Sequence, residues 1–413
     1  MNAKRFAVGI LFVLASKTGV PAMAQDAGPP SEASVCQADP PERRGSPSAA
    51  QGEDANRAAS SVTAPVSDPP LSAPEQRQST AQPLTKTPDS GLDGCCCPSC
   101  NNPCSSVYVD VEALFMNREP RFTGQPIVVD ANSGTTFLST SDLDFDFDPG
   151  LRATVGMPLG ECRAVEFTYF GLFQGNASAA VVTPNSAAFL TFPDNLFGNV
   201  FVGIDRAEVN YSSQLNSFEV NLPCCCGRCD ECRDECGCDE VRCRSFTWFT
   251  GFRYLNLTER LNISAQRIVA GAVEDGAYNI RTTNNLYGGQ LGARLRRSRG
   301  RFGWEATGKA GIFGNDAQET QSVTDFPNFA LRPTVSRSGG EVAFVGETNI
   351  SAFYRLTDTW NLRAGYTAMW IEGLALAPNQ LDFNFAASPS GNILHNGGGM
   401  FLHGVNFGLE ARW

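Results

Sequence analysis

The sequence predicts an all-β fold, an antiparallel up-and-down transmembrane β-barrel of about 10 to 14 strands, and three observations carry it. From Ser105 onward, residues alternate apolar and polar with period two. The pattern is cleanest where Val405, Phe407, Leu409, Ala411 and Trp413 fall on one face and Asn406, Gly408, Glu410 and Arg412 on the other. The alternating runs extend about 10 to 16 residues, whereas soluble strands average about 5 or 6 and a tilted membrane crossing needs about 9 to 11. Long and short connections also alternate, as they do in barrels with tight periplasmic turns and long extracellular loops.

The elements follow in chain order. Lys4 and Arg5 precede an apolar run over 6–14, and Ala22-Met23-Ala24 places small residues before a cut ahead of Gln25, so residues 1–24 are expected to be a signal peptide. Residues 25–94 are rich in Pro, Ala, Ser, Gln and Thr with no aromatic residue. Such a linker buries too little apolar surface to offset the entropy of ordering, so disorder is expected. A cysteine-rich segment, 95–104, leads into the barrel at 105–413. Ten strands are expected over 107–117, 150–159, 163–173, 204–222, 244–263, 278–297, 301–315, 340–356, 360–374 and 402–413. Tight turns at 160–162, 298–300 and 357–359 alternate with long connections at 118–149, 174–203, 264–277, 316–339 and 375–401. A cysteine-rich insertion at 224–243 interrupts the short-turn end, which is expected to be periplasmic. Tyr169, Tyr211, Trp248, Tyr254, Tyr287, Trp304, Tyr354, Trp360, Tyr366, Trp370 and Trp413 suit interfacial girdles.

Composition narrows the function. A formal charge of −11 argues against a nucleic-acid partner, whose phosphates demand a basic face. Outside the leader, no stretch approaches the roughly 18 unbroken apolar residues of a spanning helix, so a membrane assignment has to rest on strands. The fifteen cysteines of an exported chain point to an oxidising compartment.

The barrel region resembles the beta-barrel porin-7 family of outer-membrane proteins. The resemblance rests on Tyr108-Val109-Asp110-Val111-Glu112-Ala113-Leu114-Phe115, Asp148-Pro149-Gly150-Leu151-Arg152, Val165-Glu166-Phe167-Thr168-Tyr169-Phe170-Gly171, Gly251-Phe252-Arg253-Tyr254-Leu255 and Asn285-Leu286-Tyr287-Gly288-Gly289-Gln290-Leu291-Gly292. It implies a porin-like protein of the outer membrane, in contact with its lipid. The run ending at Trp413 is similar to the aromatic-terminated signal read by barrel-assembly machinery, the second expected partner.

Polar faces are expected to direct Asp110, Glu112, Arg152, Glu166, Glu208, Arg253, Arg294, Glu305, Lys309, Glu347, Arg363, Glu410 and Arg412 into the lumen. Both signs of charge admit two outcomes: a narrow pore passing small hydrophilic solutes, or a plugged barrel serving as a structural envelope protein. A soluble cysteine-rich β-sandwich binder is the third class. Disulfides are expected between Cys95, Cys96, Cys97, Cys100 and Cys104 on one side and Cys162, Cys224, Cys225, Cys226, Cys229, Cys232, Cys236, Cys238 and Cys243 on the other. Zinc on Cys97-Pro98-Ser99-Cys100 with Cys226-Gly227-Arg228-Cys229 is the alternative, disfavoured by the compartment; interchain bridges making a homo-oligomer are a further one. No metal or cofactor is expected. His395 and His403, with Asp382 the nearest acid in sequence, form no recognisable catalytic spacing, and no enzymatic activity is expected.

Overall fold

A computed structural model describes residues 106–413 apart from 122–123, 161–162, 184–187, 194–198, 231–241, 386–390 and 392, together with the backbone alone at 120–121, 225–230 and 242–243. The expected leader, linker and first cysteine segment lie outside the described residues. The strands are β1 (Tyr108–Arg121), β2 (Pro126–Asp130), β3 (Thr136–Ser139), β4 (Asp148–Pro158), β5 (Ala164–Val182), β6 (Leu190–Thr191), β7 (Arg206–Asp230), β8 (Arg242–Val269), β9 (Ala272–Arg299), β10 (Phe302–Asp325), β11 (Phe329–Arg355), β12 (Trp360–Leu374) and β13 (Gly398–Arg412). Ten of them close a barrel in the order β1-β13-β12-β11-β10-β9-β8-β7-β5-β4, every pair antiparallel. Closure runs from Tyr108 opposite Arg412 to Arg121 opposite Gly399. All ten expected strands are present. The short β3-β2-β6 sheet belongs to the loops at the long-connection end.

Two expected loops are strand instead. Residues 264–277 extend β8 and β9 up to a two-residue turn at Ala270 (φ 48°) and Gly271 (φ 85°), and 316–339 extend β10 and β11 up to a short turn at 326–328. With 28 residues, β8 provides about 90 Å of strand at roughly 3.3 Å per residue, far more than the ~25 Å apolar band of an outer-membrane barrel requires.

The outer surface shows where the bilayer ends. On the outward face Val220, Phe252, Ile312 and Phe344 form part of an apolar band, topped by Phe218, Tyr254 and Tyr287, whose tyrosine rings stack at 4.8 Å. Above that aromatic row the outward positions turn polar in register: Asn216, Asn256, Asn285 and Asp316, then Gln214, Thr258, Thr283 and Gln318, then Ser212, Arg260, Arg281 and Thr320, then Asn210, Asn262, Asn279 and Ser322. The inward face gains apolar residues. Along β8 it passes from Thr247 and Arg253 to Leu255, Leu257, Leu261 and Ile263, with Glu259 a charged residue among them, all buried. Below the aromatic row the barrel is apolar outside and polar inside; above it the outer wall turns polar, because water replaces hydrocarbon as the surrounding medium, and the inward face mixes apolar side chains with buried polar ones such as Glu259, Asn284, Asn315 and Gln321.

Candidate functional site

The lumen below the aromatic row is filled by charge. At the end where β1 begins and β13 finishes, Glu166 accepts both terminal nitrogens of Arg294 at 2.7 and 3.0 Å and the Tyr108 hydroxyl. Arg296 grips Glu410 at 2.9 and 2.9 Å and reaches Glu305 at 3.1 Å. Arg363 joins Glu410 (2.7 Å), Glu305 (2.9 Å), Asp110 (3.4 Å) and Glu112 (3.5 Å), while Arg412 meets Glu410 at 2.6 Å.

A second tier lies deeper. Glu347 takes Arg152 at 3.1 Å, Arg253 at 2.9 Å and Lys309 at 3.1 Å; Glu219 takes Arg253 at 3.4 Å and Lys309 at 3.0 Å; Arg152 also holds Glu112 at 3.1 Å. Gln290 and Asn221 donate to Glu219, and Asn406 to Glu112. These two tiers contain seven acids (Asp110, Glu112, Glu166, Glu219, Glu305, Glu347, Glu410) and seven bases (Arg152, Arg253, Arg294, Arg296, Lys309, Arg363, Arg412), so their formal charges cancel. The cavity among them measures about 60 Å³, well short of the roughly 300 to 1,000 Å³ of a small-molecule site.

Three further layers stand above. Leu114, Met116, Phe170, Leu172, Leu255, Leu257, Leu286, Phe313 and Met369 form one apolar cluster across the bore. Then β12 breaks register near its end at Gly373 (φ 85°), a conformation that strains any residue bearing a Cβ, and the loop that follows turns inward. Asn284 holds both backbone groups of Ala375, at 2.9 and 2.8 Å, Asn315 holds the Gly373 carbonyl at 2.9 Å, and the Ala377 amide donates to Glu259, which also pairs with Arg118. Topmost, Tyr278, Gln321, Arg332 and Asp382 bond one another beside a second apolar cluster that includes Ile127, Phe192, Phe201 and Phe383.

Twelve of the thirteen expected lumen residues face inward; Glu208 does not. It lies on the outer face, bonded to Arg206 and Asn210. Phe218, Val220 and Leu222 turn outward on β7, which sends odd positions such as Glu219 inward and even ones such as Glu208 outward. The same parity identifies Glu219 and Asn221, which sequence reasoning missed, and on β9 it identifies Arg296. Tyr211, expected in a girdle, lies buried in the bore and accepts a hydrogen bond from Arg118 at 2.7 Å.

Cys224 has a free thiol, against the expected disulfide, and occupies an outward position opposite Trp248. Cys95, Cys96, Cys97, Cys100, Cys104, Cys162, Cys232, Cys236 and Cys238 lie outside the described residues, as do the side chains of Cys225, Cys226, Cys229 and Cys243. Asp382 and the two histidines go separate ways. Asp382 accepts from the Gly391 amide at 2.5 Å, and the His395 amide donates to Gln380. The imidazole of His403 lies on the outer wall between the Tyr366 hydroxyl (2.6 Å) and Glu119 (3.2 Å).

Several solved barrels are similar to this chain. The outer membrane protease OmpT of Escherichia coli superposes with a TM-score of 0.41 at 9 % identity, over 76 % of this chain and 99 % of its own. A FadL homologue of Pseudomonas aeruginosa gives 0.21 at 9 %, over 76 % and 92 %. An anion-selective porin of Comamonas acidovorans gives 0.12 at 10 %, over 74 % and 98 %. The expectation of no enzymatic activity stands corrected here, since one of these similar barrels is itself an outer membrane protease. No curated protein matches the sequence. A family model does, that of beta barrel porin-7, over residues 113–413.

Proposed function

The chain belongs to the beta barrel porin-7 family and resides in the outer membrane, and from that premise we propose that it serves as a closed, structural barrel of the envelope. One observation carries this reading: the bore is occupied along its length by a charge-cancelled network, an apolar layer and an inserted loop. A conducting pore needs a continuous polar path, and the layer around Leu255, Leu286 and Met369 interrupts it. Cross-links through the cysteines would suit such a role.

Passive passage of small hydrophilic solutes is the second reading. What favours it is that the upper plug is a loop and that polar side chains line the bore beneath it. Single-channel recording on the purified, reconstituted chain distinguishes the two. The closed reading expects a silent bilayer; steady steps from the unmodified protein would replace it with passage.

A further inference from the structure

Arg260 on β8 and Arg281 on β9 stand directly opposite each other on the outer wall, and both are exposed. Like charges opposed across an antiparallel ladder are destabilising. Among the described residues, no carboxylate lies within 4.0 Å of either guanidinium to relieve them. The same row continues through Ser212 on one side and Thr320 on the other, and the row beneath presents Thr258 and Thr283. Two parallel guanidinium forks surrounded by hydroxyls are suited to an anion with bidentate oxygens and hydroxyl-bearing neighbours.

The height of the pair suggests where that anion comes from. Arg260 is six residues beyond Tyr254, the aromatic edge of the apolar band. At about 3.3 Å per residue and a tilt near 40°, the pair stands roughly 15 Å above that edge. The wall is continuous from hydrocarbon contact, through the aromatic row, to the arginines. A molecule whose acyl chains lie against the band would carry its headgroup along this face.

We propose that the outer face of β7–β10 binds the headgroup of a phosphorylated glycolipid in the same leaflet. Its phosphate ester bridges Arg260 and Arg281, and its sugar hydroxyls bond Ser212, Thr258, Thr283 and Thr320. The site is external and independent of whether the lumen conducts.

The full chain, purified in detergent and stripped of lipid, is titrated with a glycolipid whose oligosaccharide core carries phosphate a few sugars beyond its acylated end, and followed by native mass spectrometry. Its dephosphorylated form, phosphatidylglycerol and inorganic phosphate are run in parallel. The expected result is retention of the phosphorylated glycolipid, with apparent affinity lowered about tenfold or more in the double variant Arg260→Ala/Arg281→Ala and several-fold in Thr258→Val/Thr283→Val. Heat-modifiable mobility shows that each variant keeps its barrel, and the competition among lipids on the unmodified chain requires no variant. Equal affinity in the arginine double variant overturns the proposal. So does phosphatidylglycerol bound as tightly as the glycolipid, displacement by inorganic phosphate at matching concentration, or a concentration-dependent dimer in place of bound lipid.

Discussion

Arg253 is a fully buried cation of the lumen, and its two carboxylate partners, Glu219 and Glu347, are equally buried. Removing one member of such a set leaves charge uncompensated where water cannot screen it. Arg253→Met is expected to destabilise the barrel by about 3 to 5 kcal/mol, read as a lower urea midpoint of heat-modifiable mobility. Glu208→Gln, on the wet outer face, should shift that midpoint by no more than about 0.5 kcal/mol. Glu319 shows the opposite strain. It sits on the part of β10 above the apolar band, with one carboxylate oxygen unpartnered, and burial raises its pKa to about 7. Because the folded pKa exceeds the unfolded one, the penalty is absent in acid, grows as pH rises through the interval between them and is complete above about 7. Glu319→Gln should therefore slow hydrogen exchange in the β10–β11 hairpin at pH 8 and leave it unchanged at pH 4. A stabilisation that persisted at pH 4 would remove titration as its cause.

At the scale of elements, the change in outer-wall polarity explains both what the sequence disclosed and what it concealed. Within the bilayer each strand alternates apolar and polar, and all ten crossings were legible from that alone. Above the bilayer the outward positions of β9 and β10 become Asn, Asp, Thr, Ser, Gln and Arg, while the inward ones mix Ile280, Ala317 and Val323 with Thr282, Asn284, Glu319 and Gln321. A reading tuned to apolar-out alternation loses the strand there, which is why 264–277 and 316–339 read as loops. Within the lumen, parity along one strand was available and unused at Glu208 and Glu219. The ion-pair partners, by contrast, depend on which strands meet across the bore, a relation that no local pattern contains. Two predictions follow that change along β10. Ile312→Arg, inside the band, should cost about 2 to 4 kcal/mol in lipid-embedded stability, whereas Gln318→Arg on the same face should cost no more than about 0.5 kcal/mol. At the β8–β9 tip, Ala270 holds a left-handed φ of 48° beside Gly271. Ala270→Asn supplies the Asn-Gly pair such turns prefer and should stabilise the hairpin locally by about 1 kcal/mol, measured as slower amide exchange at its tip.

The wall of the barrel has a single seam between strands distant in sequence. β1 meets β13 over fourteen registered pairs, starting with Tyr108 opposite Arg412, whereas most other wall strands pair with the strand next to them in sequence. Hairpins such as β8–β9 can zip as soon as they emerge, but the seam joins segments some three hundred residues apart and must wait for the final strand to arrive. Until then β1 and β12 expose unsatisfied amides and carbonyls along their lengths, open templates for any passing strand. A polypeptide ending before Gly398 would therefore retain most of its hairpins and still aggregate instead of inserting, so quality control of this protein comes down to whether its last fifteen residues reach its first.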